Sequence, residues 1–292
     1  CTFVREFTNP GDEVMFMTPV YGEFFDSVEN WGRKCLTVSL KEENGYYSVD
    51  WEAFENALKR KPPIFILCNP HNPVGRCWTK EELKRMVDLC IKYHVPVFSD
   101  EIHSDLIFHG KKHIPTATVS EAAANYVVTG ISGTKTFNLA GLQASSVVFP
   151  NAYMKKKFDR FWFNMDIHRN NAFSLTAMEA AFNHGEEWLD QLLKHLEGNV
   201  EYVENFLKEN IPEISCRKQD GTYLMWLDFT RMGMSQEDLI DMLVNRAKVA
   251  LNDGTFFGEE GRGFFRFNLA TQRSRVRAAL ENIEKMVRSI NQ

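Results

Sequence analysis

The 292-residue chain has no apolar run near the ~18 residues needed to cross a bilayer; its best, Ile64-Phe65-Ile66-Leu67-Cys68, has the length of one buried strand. A membrane-spanning reading is therefore excluded at the level of helices. There is no basic excess either. Lys+Arg number 34 against 39 Asp+Glu, a net charge of −5, which argues against a general nucleic-acid partner. The six cysteines stand singly, with no CxxC pair and no zinc-like spacing. Most lie in apolar runs, where a thiol packs as a small hydrophobe, and a reducing, cytoplasmic location suits them. No leader-like segment opens the chain. It begins at Cys1-Thr2-Phe3 rather than at Met, which reads as a fragment. Hydrophobic residues at 44% and charged residues at 25% form an ordinary globular mixture, enough for a large core and about two domains.

Strand-like and helix-like segments alternate over the first two-thirds. Residues 13–17, 35–40, 64–68, 95–99 and 126–128 read as strands; 24–31, 49–60 and 79–94 read as amphipathic helices. Thr79-Lys80-Glu81-Glu82 is a capping box, and the helix it opens places Leu83, Met86, Val87 and Cys90 on one face. Strand–helix–strand units of this length require crossovers, which predicts a mostly parallel sheet with helices on both faces. After Pro150 helical patterns dominate to about residue 209. Then 223–229 and 264–270 read as strands, 235–248 and 273–290 as helices. The expected organisation is a large α/β domain over 1–186 and a smaller α+β domain over 187–292.

Ligands of open α/β sheets bind at the carboxyl ends of the strands, and three polar clusters sit at such ends here. Asn69-Pro70-His71-Asn72-Pro73-Val74-Gly75 follows the 64–68 run; Asp100-Glu101-Ile102-His103 follows 95–99; Ser132-Gly133-Thr134-Lys135 follows 127–131. Each has an ordinary explanation: a rigid Asn-Pro turn, a helix cap, a structural histidine, a solvated lysine. Loops at one sheet edge would instead bring an amide, a carboxylate, an imidazole and an amine into one cleft.

In that order and spacing they resemble the active-site set of fold-type I enzymes dependent on pyridoxal 5′-phosphate (PLP), the class I/II aminotransferase family, over essentially the whole chain. The runs at 69–83, 100–105, 135–142 and 264–268 are similar to the branch of cystathionine β-lyase-like C–S lyases. The resemblance implies that Lys135 carries the cofactor as a Schiff base and acts as general base, that Asp100 holds the pyridine nitrogen protonated, and that Asn72 donates to the phenolic oxygen. It implies a phosphate contact at Ser132 and a ring stacked on the cofactor at Tyr21. His103 stands where many aminotransferases have a tyrosine. Arg266, in Phe264-Phe265-Arg266-Phe267-Asn268, matches the position that holds the substrate's α-carboxylate. The implied reaction is C–S β-elimination from an amino acid to thiol, pyruvate and ammonia. An aminotransferase, or a non-catalytic regulatory protein on the same fold, are the alternatives, and a homodimer is the implied assembly. The family's phosphate-binding turn would precede Cys1, so weak or absent PLP binding by these residues alone is a further expectation.

Overall fold

The computed structural model describes residues 1–167, 170–217 and 219–290. Six strands form the main sheet: β1 (Glu13–Thr18), β2 (Lys34–Ser39), β5 (Ile64–Cys68), β6 (Val97–Asp100), β7 (Val127–Ile131) and β8 (Ser146–Val148), in the order β2-β1-β5-β6-β7-β8. The first five run parallel, and β8 returns antiparallel on the edge. Between them β3 (Lys41–Glu43) and β4 (Tyr46–Ser48) make a separate hairpin.

Alternation along the buried strands builds two cores. Met15, Met17, Phe65, Leu67 and Val97 face one way, onto α3 (Trp51–Lys59) and α4 (Lys80–Tyr93). Val14, Phe16, Ile64, Ile66 and Val128 face the other, onto α1 (Thr2–Phe7) and α2 (Glu23–Glu29). The capping box of α4 is fully made: the Thr79 hydroxyl accepts from Glu82 N at 3.2 Å, and Glu82 accepts from Thr79 N at 2.9 Å. Leu83, Met86, Val87 and Cys90 are its buried face, as their spacing predicts.

Short α5 (Glu121–Ala124) and α6 (Gly133–Thr136) flank β7, and α7 (Ala152–Asn164), α8 (Ala172–His184) and the long α9 (Glu186–Asn210) follow β8. A second, antiparallel sheet has the order β11-β12-β10-β9, from β9 (Ser215–Cys216), β10 (Leu224–Asp228), β11 (Asn252–Asp253) and β12 (Phe264–Asn268). Its Met225, Leu227, Phe265 and Phe267 pack on α9 and on α11 (Arg273–Ile290). Trp226 and Phe264, on the opposite face, join the core of the main sheet. The helix expected over 235–248 is α10 (Gln236–Asp241) continued by a wider π turn at Met242–Arg246, which brings Met242, Leu243 and Ala247 inward together.

Candidate active site

Register aligns the strand ends. Cys68 pairs with Asp100, and Asp100 with Gly130, so the loops after β5, β6 and β7 leave one sheet edge side by side. The chain also reverses its direction of growth between β1 and β5, the crevice where doubly wound sheets bind ligands. A cavity of about 220 Å³ opens there, lined by Tyr21, Asn72, Asp100, His103, Lys135 and Arg266, together with Cys68, Ile102, Tyr223, Leu224 and Asn268. Six of the seven residues singled out in the sequence thus converge.

Each is held by local structure. Tyr21 lies in the turn after β1, which docks on the 254–257 segment through Val20 N to Phe257 O at 2.8 Å. Gly22 is required there: a Cβ would lie 2.4 Å from the Phe256 carbonyl. His71 fixes the same turn to the next, its Nε2 2.8 Å from the Pro19 carbonyl oxygen. Buried beneath Trp78, the imidazole is held down to about 4 and stays neutral. Lys135 sits on α6, and Thr136 ties that helix to the 100–105 turn by donating to Asp105 Oδ2 at 2.8 Å.

Asp100 accepts from Ile102 N at 3.3 Å. Desolvation pushes its carboxyl up to about 6, with the neighbouring Glu101 carboxylate adding to the rise and Lys135 opposing it. Its charge is therefore poised on the cationic partner it meets. Glu101 turns away, accepting from Ser99 Oγ at 2.8 Å and Thr116 N at 2.9 Å, with His113 Nε2 at 2.7 Å. His103 is buried and pushed down to about 3, by desolvation first and then by Lys135 and Arg266. It is a neutral imidazole whose Nδ1 has no hydrogen-bond partner, edge-on to Tyr223 at 5.7 Å.

Arg266 reaches in from the second sheet. Its Nη1 donates to Asn72 Oδ1 at 3.1 Å and its Nη2 to Asn252 Oδ1 at 3.0 Å, while the guanidinium lies 4.7 Å over the Phe257 ring. Because a guanidinium only donates, Asn72 must turn its carbonyl toward Arg266, which directs its NH₂ elsewhere. Arg266 Nε is buried and unpartnered.

Ser132 is the exception. Its side chain caps α6, accepting from Thr134 N at 3.1 Å and donating to the Ala144 carbonyl at 2.6 Å, and it does not line the cavity. Five lining residues were not singled out: Cys68, Ile102, Tyr223, Leu224 and Asn268. Asn268 was within reach, standing two residues beyond Arg266 on the same face of β12.

The family model for class I and II aminotransferases matches residues 2–283. The chain belongs to that family. It is 41% identical over 282 residues to the cystathionine β-lyase PatB of Bacillus subtilis, covering 96% of this chain and 73% of that protein. Among solved structures it is similar to cystalysin from Treponema denticola, which contains a pyridoxal 5′-phosphate cofactor, at TM-score 0.97 and 33% identity, over 99% of this chain and 74% of that one. It also matches a PLP-bound putative aminotransferase from Clostridium difficile at TM-score 0.95 and 45% identity, over 98% and 74% of the two chains.

Proposed function

We propose that this family member is a PLP-dependent C–S β-lyase that cleaves a sulfur amino acid such as cystathionine to a thiol, pyruvate and ammonia. The observation that carries it is the convergence of an amine, a carboxylate, an amide and a guanidinium in one cavity, in a chain 41% identical to a cystathionine β-lyase.

The residues present fit the cofactor. Asp100 is a carboxylate short of donors, suited to a protonated pyridine nitrogen; Asn72 has its NH₂ left over for an oxygen acceptor; Lys135 supplies the amine for an aldehyde. Tyr21 offers a ring face, and the unpartnered His103 Nδ1 offers one further polar contact. When bound, PLP supplies the electron sink that makes loss of an α-proton feasible. Arg266 binds the substrate carboxylate through its fork and orients Cα. Lys135 then removes the proton from Cα as general base, and the β-thiolate leaves. Hydrolysis of the remaining three-carbon fragment gives pyruvate and ammonia. Ser132 takes the phosphate only if its hydroxyl leaves the Ala144 carbonyl. The two lobes proposed here, 1–186 and 187–292, meet at this cavity.

An aminotransferase would use the same residues, and the Clostridium structure favours that second reading. Product analysis separates them. With cystathionine, we expect pyruvate to accumulate without any added keto acid; turnover that depends strictly on a keto acid establishes transamination instead.

The proposed assembly is a homodimer, and the proposed location the cytoplasm, where six free thiols persist. No helix of the described residues is long and apolar enough to cross a membrane. Phe173 on α8 is 77% exposed, with Leu175 and Phe182 more than half exposed on the same helix. Large apolar side chains exposed on both faces of one helix suit burial against a second copy. Light scattering should give about twice the 33.8 kDa chain mass, and Phe173→Glu with Leu175→Glu should shift it to monomer. A monomeric parent protein at micromolar concentration rules the dimer out.

A further inference from the structure

A second cavity, of about 360 Å³, lies between the β3–β4 hairpin and the second sheet, lined in part by Glu42, Arg217, Trp226, Asp228, Arg231 and Phe264. None of these residues belongs to the first cavity.

Its polar groups are unequally satisfied. Glu42 accepts from Gly45 N, closing the hairpin turn. Asp228 accepts from the Thr230 amide at 2.8 Å, from its hydroxyl at 2.6 Å, and from Ser215 at 3.5 Å. The acids are thus engaged within the fold. Arg217 is not. Its side chain is only 13% exposed, its nearest carboxylate contact is Asp220 at 3.9 Å, and its buried Nη1 has no hydrogen-bond partner. The hairpin holds it in place: the Tyr46 ring lies 5.0 Å from the guanidinium, and Gly45, at φ +77°, lets the turn approach the arginine stem, where a Cβ would come within 3.3 Å. The guanidinium lines the cavity with no carboxylate at hydrogen-bond distance, so an arginine built in at this place calls for an acceptor from the cavity side.

We propose that this cavity binds a small organic monocarboxylate, with Arg217 and Arg231 holding the carboxylate and Trp226 and Phe264 facing its carbon body. Those two rings are stacked at 5.3 Å and 8°, an apolar wall for a planar or aliphatic group. Two acids balance the two arginines, so a multiply charged phosphate meets repulsion that a monoanion largely escapes. The ligand also has a reporter. Trp226 Nε1 donates to Tyr47 Oη at 3.1 Å, and its ring packs edge-on to Phe257 at 5.4 Å, so a ligand in the cavity it lines changes its surroundings.

The test uses the holoenzyme carrying Arg266→Gln, in which the first cavity has lost its carboxylate fork. Benzoate, titrated by calorimetry and tryptophan fluorescence, is expected to bind saturably. Adding Arg217→Gln should weaken it by roughly tenfold or more, the scale of one charge-assisted pair. Arg231→Gln, at an exposed position that cannot endanger the fold, should weaken it several-fold and decides the matter should Arg217→Gln fail to fold. No saturable binding in Arg266→Gln, affinity unchanged by the arginine variants, or inorganic phosphate binding as tightly as benzoate each overturns the proposal. None of these outcomes depends on which reaction the first cavity performs.

Discussion

Lys135→Ala should abolish pyruvate formation from cystathionine while leaving the fold intact. The residue lines the cavity on the four-residue helix α6, partly buried, and belongs to none of the hydrophobic cores. A substitution at such a place shifts stability by about 0.5 kcal/mol or less. Catalysis is another matter. Loss of a positioned general base alone slows proton abstraction about 10²–10⁴-fold, and here the covalent attachment is lost as well. Two measurements check the role directly. Borohydride reduction of the holo-protein followed by peptide mapping should fix the cofactor on Lys135; label on another lysine overturns the assignment. A small primary amine added to Lys135→Ala should restore part of the proton transfer, which no structural role for the lysine explains.

The second large effect is expected at Arg266. Truncation to Ala removes the fork proposed to hold the substrate carboxylate, a buried charge-assisted pair worth about 2–5 kcal/mol, or roughly 30-fold to several-thousand-fold in affinity. The loss should fall on KM and on amino-acid binding, with cofactor absorbance retained. Arg266→Lys keeps the charge but not the planar pair of donors and should recover only part of the loss. Unchanged amino-acid affinity together with a lowered Tm would make Arg266 structural, held by Asn72, Asn252 and the Phe257 ring.

What could be read in the sequence, and what could not, follows from the range of the forces involved. The capping box at Thr79 is local chemistry between residues three apart, and it formed as written. So did the wholly buried strand at Ile64–Cys68, whose apolar run has no other stable use. The convergence of Asn72, Asp100 and Lys135 was legible because parallel strands put their loops at one edge. The β3–β4 hairpin was missed although it carries a signal: Asn44 and Gly45 both have φ near the left-handed region, at +55° and +77°, and Asn-Gly is the dipeptide that favours such a turn. Tyr223 was beyond reach. It meets His103, 120 positions earlier in the chain, only because the second sheet packs on the first. Ser132, where the resemblance implies a phosphate contact, also caps α6, a local use of the hydroxyl that the resemblance does not carry. The core of the second sheet likewise draws Leu106 and Phe108 from well before residue 186, since a packed interface recruits whichever apolar residues reach it.

Strand β12 writes two messages in alternate letters. Phe265 and Phe267 address the helices behind it, while Arg266 and Asn268 address the cleft in front and Phe264 packs on the core of the main sheet. Changes at 265 and 267 can therefore tune how firmly the second sheet is held without altering what the cleft accepts, and changes at 266 and 268 can do the reverse. The same arrangement makes the strand intolerant of a shift in frame. Deleting one residue before Phe264 would turn every letter over, driving a guanidinium into the hydrocarbon between α9 and α11 and presenting a phenyl ring to the substrate. Such a lineage can drift in preference by single substitutions along this strand, but it cannot change the strand's length.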